Sequence, residues 1–192
     1  MSDTDRRKKT DWVQLASFVL IILLGVEDGM LIVQNRRLKE ELNDIFSPAE
    51  LLKPGDRVDG FKVQTMNGDT MQISYSDSTR KSLIFVFSVG CPPCERNLAN
   101  WQSIFEESKS NNVSVLGVCL DDLEKMKAWA NAKKPVFFIA SSAGDTSFGR
   151  KYKISGVPKT ILIKGGGGIV EKVWNGELSN DQKREVETLT GG

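Results

Sequence analysis

Apolar residues along this chain fall into three regimes: one long, nearly all-apolar run, a short helical stripe, and a series of strand-sized runs separated by turns. The long run is Trp12 to Val26, resuming after Glu27-Asp28 at Gly29-Met30-Leu31-Ile32-Val33. At roughly 1.5 Å per residue a helix over 12–33 crosses roughly 30 Å of hydrocarbon, so the pattern predicts a transmembrane span. Carboxylates in mid-bilayer cost on the order of 3 kcal/mol each, which places Glu27 and Asp28 at the headgroups, with the hydrocarbon ending near Gly25. Arg6-Arg7-Lys8-Lys9 precede the run and no Ala-x-Ala site follows it, the marks of an uncleaved signal anchor.

Beyond the span, Met30 to Phe46 reads as a continuing helix. Leu31, Asn35, Leu38, Leu42 and Ile45 alternate spacings of four and three, a short heptad seam with a polar residue at one position. It reads as a solvated stalk or as a weak homodimer through residues 31–45. Ser47-Pro48-Ala49-Glu50 has the form of a capping box and predicts a short helix through Leu52. Lys53-Pro54-Gly55-Asp56 is a turn. The organisation expected is therefore a tail over 1–11, an anchor over 12–33, a stalk and linker over 34–53, and one globular domain over 54–192.

Within that domain the period changes to two. Gly60 to Met66 alternates, Asn67-Gly68-Asp69 turns the chain, and Thr70 to Ser74 returns as a hairpin. Leu83 to Phe87 is a buried strand, Asn97 to Ser108 a helix, and Asn112 to Leu120 the next strand. Asp121-Asp122 opens a helix over Leu123–Ala132, and Pro135–Ala140 is a further strand. Thr146–Tyr152 reads as a short helix, Thr160–Lys164 and Ile169–Trp174 as a strand pair, and Ser179–Leu189 as the last helix. Four glycines, Gly165 to Gly168, join two strands and open no helix, so they read as a hairpin turn and not a phosphate cradle.

Composition then narrows the chemistry. With 26 basic and 25 acidic residues the net charge is +1, which offers no electrostatic footprint for nucleic acid. There are three cysteines and no histidine, so a four-ligand zinc site within one chain would need carboxylates, which structural sites rarely use, and no cofactor is expected. Cys91-Pro92-Pro93-Cys94 follows the apolar strand directly and precedes the helix. The spacing sets Cys91 at the first turn and Cys94 one turn on, so that the sulfurs can bond, and prolines are tolerated there because first-turn amides have no intrahelical partner. The dipole and free N–H groups of a helix N-terminus favour thiolate at Cys91, the expected attacking sulfur, leaving Cys94 as the resolving one. Cys119, in a buried strand, reads as a small core hydrophobe. Basic residues flank the span almost equally, four before it and Arg36, Arg37 and Lys39 after it. The dithiol decides the expected orientation: such a domain suits an oxidising compartment, so the bulk of the chain is placed outside the cytoplasm, at the cell membrane.

The order β-α-β-α-β then β-β-α, with Cys-Pro-Pro-Cys after the first of these strands, resembles the α/β thioredoxin-like fold. The early hairpin is then an N-terminal extension of it. Together with the leader Leu52-Lys53-Pro54-Gly55-Asp56 and the anchor, it resembles the membrane-anchored thiol–disulfide oxidoreductases of the ResA/TlpA/DsbE type, within the AhpC/TSA-like redoxin superfamily. The resemblance covers about Leu51 to Leu189 and also rests on Gly156-Val157-Pro158 and on Leu162-Ile163-x-x-Gly-Gly-x-x-Val170. It implies a cis peptide before Pro158 and a backbone at Val157 free to pair with a substrate peptide. It implies partners that are cysteine-containing extracytoplasmic proteins, such as apocytochrome c, and an electron donor or acceptor. Three departures stand out: Gly90 where the family has Trp, Asn97 where it has Glu, and no carboxylate in the strand Ser82–Phe87. With neither familiar proton acceptor for Cys94, slow or specialised exchange is the expectation. Two other readings compete. Ser88, three before Cys91, imitates the Thr-x-x-Cys of a peroxiredoxin-like peroxidase, although no proline stands seven before the cysteine and Pro158 is of the thioredoxin type. The other is an anchored, non-enzymatic binding domain.

Overall fold

The computed structural model describes residues 51–145 and 147–191, together with part of the stretch between 20 and 36. The chain divides into two compact units, residues 1–48 and 49–192. In the first, the described residues between 20 and 36 are helical and exposed, and no helix among the described residues is long and apolar enough to cross a membrane. Most of the expected anchor over 12–33 lies outside the described residues, as do Leu38, Leu42 and Ile45 of the heptad seam and the capping box at 47–50. Leu51 and Leu52 are not helical, so the short helix expected to reach Leu52 does not extend to it.

The second unit is a seven-stranded sheet with helices on both faces. In chain order it comprises β1 (Phe61–Gln64), β2 (Thr70–Ile73), β3 (Lys81–Phe87), α1 (Pro92–Ser108), β4 (Val113–Cys119), α2 (Leu123–Lys133), β5 (Ile139–Ser141), α3 (Ser147–Lys151), β6 (Lys159–Lys164), β7 (Ile169–Asn175) and α4 (Asn180–Thr190). The strands lie in the order β2-β1-β5-β4-β3-β6-β7. β3 pairs parallel with β4 and antiparallel with β6. This is the thioredoxin-like α/β arrangement expected from the element order, with the β1–β2 hairpin added at one edge.

β3 is central because it is apolar on both faces. Leu83, Phe85 and Phe87 enter one layer with Leu98, Trp101 and Ile104 of α1, Met126 and Trp129 of α2, and Val186 of α4. Ile84 and Val86 enter the other with Phe61, Phe148, Tyr152 and Ile161. Leu83 to Phe87 are at most 1 % exposed, and each such side chain contributes about 1.5–3 kcal/mol on burial. Trp101 fixes α1 over the sheet: its ring stacks on Phe85 at 5.0 Å and its Nε1–H donates to Thr160 Oγ1 at 2.9 Å.

Two elements differ from the sequence reading. α1 begins at Pro92, not Asn97: the prolines make up its first turn, where their missing N–H groups cost nothing. β5 is only Ile139–Ser141, whereas Pro135–Ala140 was expected. Lys134 ends α2 in the left-handed region and Pro135 has no N–H to pair. Phe137 turns inward against Phe85, while Val136 and Phe138 remain about half exposed, and pairing starts only at Ile139 opposite Gly117.

The leader Lys53–Asp56 docks on β7, with Gly55 N–H donating to Val170 O and Val170 N–H to Asp56 O, both at 2.8 Å. The Asp56 carboxylate accepts from Lys153 Nζ at 3.0 Å and Lys53 N–H at 3.1 Å, and these bonds hold it below the usual carboxylate range. The glycine run is the hairpin turn expected: Gly166, Gly167 and Gly168 all have positive φ.

Two outcomes follow. Gly168→Ala places a Cβ against the Val58 carbonyl at a φ of 70°, and should destabilise the domain by about 2 kcal/mol or more in urea unfolding. Asp56→Asn should cost about 0.5–1 kcal/mol at pH 7. A depressed carboxyl contributes above the unfolded value of about 3.9, so that difference should fade as pH falls below about 4 and the carboxylate protonates in the wild type as well.

Candidate active site

The C-terminal end of β3 delivers the chain to a turn, Val89-Gly90, and then to the start of α1. Gly90 has φ of 73° and stands exposed, with nothing within 4 Å of where a Cβ would lie. A tryptophan there would be held in the left-handed region, so the departure at Gly90 goes with the local backbone as well as with the shape of the surface.

Cys91 is the N-cap of α1. Its sulfur occupies the place of a capping oxygen: Cys94 N–H donates to Cys91 Sγ at 3.3 Å, and Glu95 N–H donates to Cys91 O at 3.1 Å. Pro92 and Pro93 bring no N–H, so the Cys94 amide is the first in the helix available to the sulfur. A helix N-terminus and a donated hydrogen bond both stabilise negative charge at Cys91. Cys91 and Cys94 are joined as a disulfide with Cα atoms 5.3 Å apart. They differ in access, Cys91 being half-buried and Cys94 only 2 % exposed.

The loop before β6 approaches from the other side. Val157–Pro158 is a cis peptide, and Val157 O lies 3.9 Å from Cys91 Sγ. Among the described residues no backbone hydrogen bond engages Val157. The structure thus brings together all four residues singled out in the sequence, Cys91, Cys94, Val157 and Pro158. Directly after Pro158, Lys159 is buried; its Nζ donates to Lys153 O at 3.2 Å, and burial pulls its ammonium below the usual lysine range. Nothing in its sequence context marked it.

Asp121 was read only as the opening of a helix, a role that falls to Asp122, whose carboxylate accepts from Lys125 N–H at 2.9 Å. Asp121 instead clamps the active-site loop. Its Oδ2 accepts from Ser88 Oγ and from Val89 N–H, both at 2.7 Å. Bonds to a charged acceptor contribute about 1.5–3 kcal/mol each. The Ser88 hydroxyl, which suggested a peroxidatic motif, donates its proton to Asp121. The position of Asp121 just after β4, beside the parallel β3, was the available signal, since those two strand ends must adjoin. Cys119 is a buried free thiol, and chiefly burial pushes it up to about 12. Glu95 pairs with Lys133 at 2.9 Å, consistent with its expected place on another helix face.

Asn97 is fully buried one turn beyond Cys94. Its Oδ1 accepts from Leu178 N–H at 3.0 Å and from Asn100 Nδ2 at 3.1 Å, while its own Nδ2 has no partner. A buried donor left unbonded costs about 1–3 kcal/mol. Among the described residues no group of three or more His, Cys, Asp or Glu could hold a metal ion.

The chain is similar to several thiol-disulfide oxidoreductases. Over 186 residues the chain is 24% identical to the thiol-disulfide oxidoreductase ResA of Halalkalibacterium halodurans, covering 96% of this chain and 97% of that protein. It is 26% identical over 130 residues to the sporulation thiol-disulfide oxidoreductase A of Bacillus subtilis, covering 65% of this chain and 76% of that one. Its fold is similar to the crystal structure of the thioredoxin domain of a thiol-disulfide oxidoreductase from Bacteroides vulgatus, with a TM-score of 0.59 at 20% identity, covering 72% of this chain and 99% of that one. The AhpC/TSA family model matches residues 54–172, from the leader to β7, spanning both cysteines and Pro158, and the chain belongs to the AhpC/TSA family.

Proposed function

We propose that this chain is a membrane-tethered thiol–disulfide oxidoreductase that exchanges electrons with cysteines of extracytoplasmic proteins through Cys91 and Cys94. Oxidoreductase activity rests on kinship with relatives of that name. The observation that carries the residue assignment is the asymmetry of the pair: a half-buried sulfur capping a helix, 3.9 Å from the unpaired backbone of Val157, and a buried sulfur one turn behind it.

In the reducing direction the Cys91 thiolate attacks one sulfur of a substrate disulfide. Its electron pair forms the mixed disulfide, and the other substrate sulfur leaves as thiolate and takes a proton from solvent. Cys94, having lost its proton, then attacks Cys91 Sγ, and the second substrate sulfur departs. Two electrons pass to the substrate and the Cys91–Cys94 disulfide forms. The same steps in reverse oxidise a substrate dithiol. Pro158 brings no N–H to this edge, so the Val157 carbonyl and amide are the groups an extended substrate backbone would meet. A flat site at Gly90 suits protein substrates, apocytochrome c thiols among the candidates.

The tether is supported by the apolar stretch over 12–33 with its preceding basic cluster, and the extracytoplasmic placement by the chemistry of the pair. The seam through residues 31–45 would support at most a weak homodimer.

Replacing Cys94 by Ser should trap covalent complexes visible on non-reducing gels, at least tenfold more abundant than with Cys91→Ser. Equal trapping by the two variants would overturn the division of roles. Protease added to spheroplasts should digest the domain while the cytoplasm stays sealed; a fully protected domain would overturn the orientation.

A further inference from the structure

Asn97 joins this mechanism by a route that its sequence position alone does not show. Helical side chains lean toward the N-terminus, over the turn before their own Cα, so Asn97 leans over Cys94. Cys94 is buried in the layer of Phe87, Leu98, Trp101 and Leu178, whose one polar side-chain atom, Trp101 Nε1, is committed to Thr160, and Asn97 is fully buried on the same helix. The orientation of the amide is set by its partners: the Leu178 N–H needs an acceptor, so Oδ1 faces Leu178 and the unpartnered Nδ2 takes the other side. The Asn100 Nδ2, bonded to both Asn97 Oδ1 and Leu178 O, locks that arrangement.

We propose that Asn97 Nδ2–H donates to the Cys94 sulfur in the reduced protein, holding Cys94 as a ready thiolate where no carboxylate serves it as base. The proton of Cys94 then leaves to solvent before attack on the mixed disulfide, and the amide stabilises the charge left behind. In the disulfide form the amide has no partner; reduction frees the Cys94 sulfur from its bond to Cys91 Sγ, so the hydrogen bond belongs to the reduced protein. The charged groups nearby are already partnered: Glu95 with Lys133, Arg96 with Glu177, and Asp121 with Ser88 and Val89. Lys159 projects into the layer on the opposite face of the sheet, toward Lys153 O. None offers Cys94 a competing donor. The inference rests on the disulfide-exchange reading for its use, but its test needs no substrate.

The test follows alkylation of Cys94 by iodoacetamide against pH, by peptide mass mapping of the purified full chain carrying Cys91→Ser. Adding Asn97→Ala or Asn97→Asp should raise the Cys94 midpoint by about one pH unit or more, a tenfold loss of thiolate near neutral pH. Asn97→Asp keeps the oxygen that Leu178 needs, and Asn97→Ala adds no charge. A rise in the Asp variant alone would assign the shift to charge and overturn the donor role, and so would unmoved midpoints in both. Should Asn97→Ala fail to fold, the wild type decides: the Asn97 side-chain amide protons should shift on reduction and titrate with Cys94 by NMR, and amide resonances indifferent to redox state would overturn the proposal. Failure to trap substrates would leave these readouts untouched, so the two readings fail separately.

Discussion

One hydrogen bond organises the working end of this molecule: the Cys94 amide reaching back to the Cys91 sulfur. A helix must satisfy its first N–H groups, and here two of the earliest positions are prolines, which have none. The remaining donor meets a sulfur instead of a hydroxyl. The capping contact that starts α1 is thus also a contact that stabilises negative charge at the Cys91 sulfur. The start of the helix and the chemistry of the site are one structural event. That event is placed by β3, whose burial on both faces leaves the strand no freedom to slide, and by Trp101, which pins α1 to Phe85 and Thr160.

Around this centre, polar contacts from distant parts of the chain set the loop. Asp121 ties the approach to Cys91, Asn97 and Asn100 tie α1 to the segment before α4, and Lys159 ties the loop that carries Val157. Each is a buried or half-buried group with a specific partner, and each connects elements 6 to 81 residues apart in sequence.

What was legible in the sequence follows from this distinction. Strands with two buried faces, turns rich in glycine and a cysteine pair at a helix start are written locally, so β3, the hairpins, α1 as an element and the pairing of Cys91 with Cys94 could be read directly. The family match required only that order of elements and motifs. The long-range polar ties were not legible as bonds: the parallel order of β3 and β4 puts Asp121 near the end of β3, but nothing near Asp121 in sequence names Ser88 and Val89 as its partners. Asn97 was read as a missing acid, whereas its burial and the bonds at its oxygen emerge only once Leu178 is brought alongside. The run Pro135–Phe138 misled because its apolar pattern is that of a strand, while Lys134 and Pro135 set a backbone that postpones pairing until Ile139.

The unequal access of the two sulfurs also bears on chemical wear. A thiolate at a helix start is open to peroxide, which converts it to a sulfenic acid, and further oxidation to the sulfinic and sulfonic stages removes it from use. A buried thiol one turn behind condenses with that sulfenic acid, expelling water and returning the pair to a disulfide that any reductant of the dithiol can reopen. On that chemistry the second cysteine would guard the first against irreversible oxidation, and its burial would shelter it from the same fate.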